Sequence, residues 1–178
     1  PTQIGSLSAA SLSALDQPQV QSLTTTQVGG LTTTQLRTLN ATDFGELSST
    51  ELSALSAAQL GALSGANVSS LDQTQVQALG TTLVSGLSAA QLRSLTATDV
   101  GEFTTTQIAA LSTAQIGALS AAAVSALDQT QVQTLAGTQI AALTTGQLRG
   151  LTATDVGEFT ATQIGQLSAA QLGALSAT

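Results

Sequence analysis

Apolar side chains recur along this chain at spacings that alternate between five and three residues, so two positions in every eight are reliably apolar. With Leu7 as position 1, the frame runs without insertion or deletion through twenty-one octads to Ala174. Position 1 is Leu except at Phe103 and Phe159, and position 6 is always Ile, Leu, Val or Phe. The abundant Thr and Val favour a β-solenoid as the rival fold, but strict strand alternation cannot produce a five-three spacing. One continuous helix fails too, because at 100° per residue the apolar pair turns by about 80° per octad and smears around the axis. The pattern therefore predicts a helix that breaks once per octad.

Leu111 to Ala118, LSTAQIGA, shows how the break is made. Ser112 can cap a helix, Gln115 stands three residues later to complete a capping box, and Leu111 and Ile116 can close a hydrophobic staple across the entry. Position 2 is Ser, Thr, Asp, Asn or Gly everywhere except Ala136, which is the preferred N-cap alphabet. Position 5 is Gln, Glu or Asp in seventeen octads, with Ser11, Asn67, Leu83 and Ala123 departing. Pro1 and Pro18 fall on positions 3 and 4, the first helical positions, where a missing N–H costs nothing.

About six or seven helical residues per octad fall well short of the ~12–15 needed for an isolated helix. Each unit must therefore lean on its neighbours, and the small residues at positions 7 and 8 let successive turns come close. The expected fold is all-α: a solenoid or superhelix of very short helices, one per eight-residue repeat.

A second period lies above the first. Residues 7–62, 63–118 and 119–174 are three blocks of seven octads. Asp16, Asp72 and Asp128 recur in register, as do Arg37, Arg93 and Arg149, and the pairs Asp43/Glu46, Asp99/Glu102 and Asp155/Glu158. Residues 1–178 thus read as a single array with a 56-residue super-repeat, cut at both ends from a longer one.

Composition narrows the chemistry. Among 178 residues there is no His, Cys, Met, Trp or Tyr, the three arginines are the whole basic complement, and the formal net charge is −7. Phosphate binding needs clustered Lys and Arg, so nucleic acid and anionic membrane surfaces are not expected partners. No apolar run approaches the ~18 residues of a spanning helix, and no targeting signal is legible in this segment.

The many hydroxyls have no His, Lys or Cys to activate them, so those at position 2 are expected to be caps and no catalytic residue is assigned. Asp43, Asp99 and Asp155 occupy the capping-box position, where a carboxylate also favours the helix N-terminus. Each Arg precedes the following Asp by six residues and the Glu by nine, and a structural ion pair is expected there. Neither an EF-hand loop nor a calcium-binding nonapeptide is present, and no metal or other cofactor site is assigned. The Thr clusters Thr24 to Thr26 and Thr104 to Thr106 are not expected to form a flat ice-matching array, since one Thr of each is a cap.

The repeat L-[ST]-x-x-Q-[ILV]-x-x, as in LTTTQVGG and LSTAQIGA, resembles the octapeptide arrays of large repetitive secreted or surface adhesin-like proteins of Gram-negative bacteria. That resemblance covers the whole chain. It implies export and growth by duplication, and it carries no defined functional residues. The expectation is a non-catalytic stalk, spacer or filament-forming segment of an extracellular or cell-surface protein. Self-association or surface assembly is the partner class left open, and a small-molecule ligand is not expected. The alternative is a binding module that holds a peptide, a glycan or a cation such as calcium on one face of the superhelix.

Overall fold

The computed structural model describes residues 4–175, and Pro1 lies outside them. A 3-10 turn at Ile4–Ser6 is followed by twenty-one α-helices, each beginning at position 3 of its octad, and no strand occurs among the described residues. The fold is all-α, built from one short helix per repeat.

The helices start where the caps are. At Ser112 the Gln115 N–H donates to Oγ (3.3 Å) while the Ser112 N–H donates to Gln115 Oε1 (2.8 Å), so the box is closed in both directions. Asp16, Asp72 and Asp128 make the same box with Gln19, Gln75 and Gln131. Pro18 sits in the first turn of Gln17–Gln21, where it displaces no helical bond. Gly80 and Ala136 are N-caps with no side-chain cap bond.

The helices are shorter than six or seven residues in most octads, ranging from four at Thr113–Ile116 to seven at Ala169–Leu175. Their ends are pulled in by a tighter closing turn. The N–H at position 1 reaches back three residues to the carbonyl at position 6, as from Leu31 to Val28 (3.1 Å) and from Leu119 to Ile116 (3.2 Å). Where that residue is itself the C-cap it is extended, as at Leu111 (φ −65°, ψ 135°), and aims the chain at the next cap. Among the described residues no φ is positive, so the glycines serve purposes other than left-handed turns.

The chain forms two compact units, Pro1–Gln91 and Leu92–Thr178. In the first, helices pack on the third one along: Ala9–Leu12 on Thr33–Thr38, Thr25–Gly29 on Ser49–Leu52, and Ala41–Gly45 on Gly65–Ser69. In the second, Ala97–Gly101 packs on Ala121–Ser125, and Thr113–Ile116 packs on Gly137–Ala141. Each unit is thus a coil whose turns stack.

The core follows positions 1 and 6. Leu36, Leu60, Val84, Val100, Ile108 and Ile140 are fully buried. A third position joins them, because Gln35, Gln59, Gln75, Gln91, Gln131, Gln139, Gln147 and Gln163 at position 5 are also buried.

The reason is a hydrogen bond that joins turns. Gln59 Nε2 donates to the Leu31 carbonyl (2.7 Å), Gln75 to Leu47 (2.6 Å), Gln131 to Phe103 (2.6 Å) and Gln147 to Leu119 (2.8 Å), always 28 residues back. The shorter Asn67 still reaches the Leu39 carbonyl at 2.9 Å. One amide therefore does two jobs: its oxygen caps its own helix and its nitrogen clamps the turn before. The bond runs from position 5 of one octad to position 1 of the third octad before it, the same step that relates the packed helices in each coil.

Small side chains permit that spacing. A Cβ on Gly86 would lie 2.7 Å from the Cβ of Ala57, and one on Gly150 would lie 2.7 Å from that of Ala121. At those two sites only glycine lets the turns touch.

Candidate functional surface

The hydroxyls that could have been nucleophiles are held by main-chain amides. Thr24 accepts from the Gln27 N–H (3.3 Å) and donates to its Oε1 (2.9 Å), and Thr104 accepts from the Gln107 N–H at 3.2 Å. Each Thr cluster thus has one cap and two residues of a first helical turn, and a helical turn cannot present its hydroxyls as a flat row.

The carboxylates Asp43 and Asp155, at position 5 of octads 39–46 and 151–158, find serines on the turn before. Ser13 Oγ donates to Asp43 Oδ2 (2.8 Å), which also accepts from Asn40 Nδ2 (2.9 Å). Ser125 Oγ donates to Asp155 Oδ2 at 2.6 Å, and the Thr152 N–H donates to the same oxygen at 2.8 Å. Burial works against the Asp155 charge, but these donors outweigh it and hold the carboxyl below its ordinary range. Its partners are Ser125 and Thr152 rather than Arg149.

Glu158 shows the opposite balance. Burial first, and then the nearby carboxylates Asp155 and Asp128, push its carboxyl up, and its Oε2 is buried without a hydrogen-bond partner. The expected ion pair is thus replaced at Asp43 and Asp155 by serine–carboxylate bonds, while Arg37 and Arg149 point to solvent. Spacing along the chain had suggested the arginine as partner. The coil instead brings in the serine 30 residues earlier, which no local spacing could reveal.

Asp128 comes near Glu158 for the same reason, since stacking lays octad 127–134 against octad 151–158 of a later turn. Among the described residues no group of three or more acidic, His or Cys side chains is placed to share a metal ion.

Two further features had little or no sequence signal. Glu51 occupies a buried clamp position at 3 % exposure, accepts from the Ser48 N–H through Oε2, and leaves Oε1 buried without a partner. In the second unit, a groove of about 440 Å³ opens beside Ala136 and Gly137, with Thr138, Thr162, Gln133 and Gln166 on its walls. The missing cap at Ala136, with Gly137 beside it, and the glutamine at position 8, Gln166, were its signs in the sequence.

Among the described residues no helix is long and apolar enough to cross a membrane. No protein-family model matches the chain, and a search of curated proteins finds no match either.

Proposed function

We propose that this chain is a non-catalytic structural repeat module, a stalk, spacer or filament segment of a secreted or cell-surface bacterial protein. The observation that carries the reading is the amide clamp. It joins octads 28 residues apart, so a turn is completed by its neighbours and the coil can be lengthened without a new design. The polar side chains at positions 2 and 5 are spent on caps and clamps. Placement outside the cell rests on the likeness of the repeat to exported arrays.

The test is to lengthen the chain by one, two and three further copies of residues 119–174. Small-angle scattering should show a maximum dimension that grows by a constant step per copy, and the melting temperature should rise with length. A dimension that levels off would refute the spacer reading. One observation favours a second reading, a binding module, and that is the groove beside Ala136.

A further inference from the structure

Two departures from the repeat meet beside Gly137 at the groove in the second unit. Ala136 is the one position 2 residue outside the capping set, Gly137 follows it, and Gln166 is the only glutamine at position 8. The last two are in contact: a Cβ on Gly137 would lie 3.0 Å from Gln166 Cγ and 3.1 Å from Gln166 Oε1. Gly137 makes room for Gln166, and beside them lies a groove of about 440 Å³. That volume lies within the ~300–1,000 Å³ range of small-molecule sites.

The lining selects a class of ligand. No ionisable group borders the cavity, although the chain carries a formal charge of −7. Thr160 and Gln163 are committed to each other and to the Val132 and Leu135 carbonyls. Thr138, Thr162, Gln133 and Gln166 are exposed around the opening, and every one of those hydroxyls and amides can both donate and accept. Buried Leu135, with Ala136 and Gly137, supplies a small apolar floor.

A charged ligand would meet no countercharge there, and a peptide adding itself as a strand would find no sheet edge among the described residues. Neighbouring hydroxyls on a small apolar ring match the lining. We propose that this groove is a binding site for a neutral saccharide of one or two rings, held by Gln133, Thr138, Thr162 and Gln166. With no aromatic face to stack on, binding is weak. The proposal rests on the groove alone and holds whether or not the array is a spacer.

The test is a titration of the ¹⁵N-labelled full chain with maltose, read by the side-chain amide signals of Gln133 and Gln166 and the main-chain signals of Gly137 and Thr138. These should shift together and saturate with a dissociation constant on the order of 1–10 mM. Gly137→Leu fills the groove and should abolish the response. Because that change also presses on Gln166, the double variant Thr138→Val/Thr162→Val removes the hydroxyls at exposed sites, and should weaken binding at least about fivefold, roughly 1 kcal/mol, with an unchanged circular dichroism spectrum. Shifts spread evenly over surface Gln and Thr of all octads, a failure to saturate, or full affinity in the double variant would overturn the proposal. A stronger response of the same signals to trialanine would overturn it in favour of a peptide site.

Discussion

Glu51→Gln should stabilise the protein, against the usual direction of a core substitution. At the equivalent position of nine octads the glutamine amide nitrogen donates to a carbonyl 28 residues back, at 2.6 to 3.1 Å. Glu51 Oε1 is buried without a partner, and by that register its counterpart would be the Leu23 carbonyl, an acceptor facing an acceptor where the other turns have a donor and an acceptor. The Ser48 N–H still caps through Oε2 at 2.6 Å, and the substitution leaves that half of the box in place. A new net hydrogen bond contributes ~0.5–1.5 kcal/mol, and removing a buried unsatisfied acceptor contributes a further ~1–3 kcal/mol. The expected gain is thus about 2–4 kcal/mol. Urea unfolding followed by circular dichroism at pH 7 should show a higher midpoint with an unchanged slope. The reverse change, Gln59→Glu, should cost a similar amount, since it removes the donors to the Gly29 and Leu31 carbonyls. If Glu51→Gln were neutral or destabilising, the two-acceptor reading of this turn would be refuted.

Caps and charges give two further outcomes. Ser112→Ala should cost about 1 kcal/mol while Thr113→Ala, one residue inside the helix, stays near neutral; equal losses in thermal melts would count against the box as the helix start. Glu158 is pushed up in the folded chain, so its charge is a penalty that is absent below its ordinary 4.5, grows as pH rises from there, and is complete above the raised value. Glu158→Gln should therefore stabilise at pH 7 and lose its advantage below pH 4.5; an advantage independent of pH would show that packing is responsible. Asp155 has the opposite sign: its stabilising effect is full above 3.8 and is lost as pH falls through its lowered value, so Asp155→Asn should destabilise at pH 7 and converge on the parent in strong acid.

The local level of the fold was legible because it is written within eight residues. A cap at position 2, an acceptor at position 5 and apolar residues at positions 1 and 6 predict a short helix, and one begins at position 3 in each octad. What lies between turns was not legible, since it depends on how far the chain travels before it passes over itself. Gln59 read as half of a capping box, and its second bond to Leu31 needed the coil to be visible. Arg149 read as the partner of Asp155 because it is near in sequence, whereas Ser125 is near in space. The groove was announced by the small residues at Ala136 and Gly137 and by Gln166, but nothing local brings Gln166 to Gly137, and a small residue alone does not distinguish a groove from a close contact such as that of Gly150 with Ala121.

The stacking of turns also bears on how the array can grow. The clamp joins a position 5 amide to the position 1 carbonyl 28 residues back, with the same offset in octad after octad. Each such octad therefore meets the turn before it in the same relation, and a copied block of any whole number of octads keeps its clamps in register. An insertion that is not a multiple of eight would move the carbonyl away and leave an amide such as Gln59 Nε2 without its acceptor. What a 56-residue block adds is the identity of the side chains that meet. Ser13 bonds to Asp43 and Ser125 to Asp155 within their separate units, the same bond two block lengths apart, because donor and acceptor positions recur together when the block is copied. The octad is thus the unit of register, and the longer block carries the side-chain pairs that differ from octad to octad.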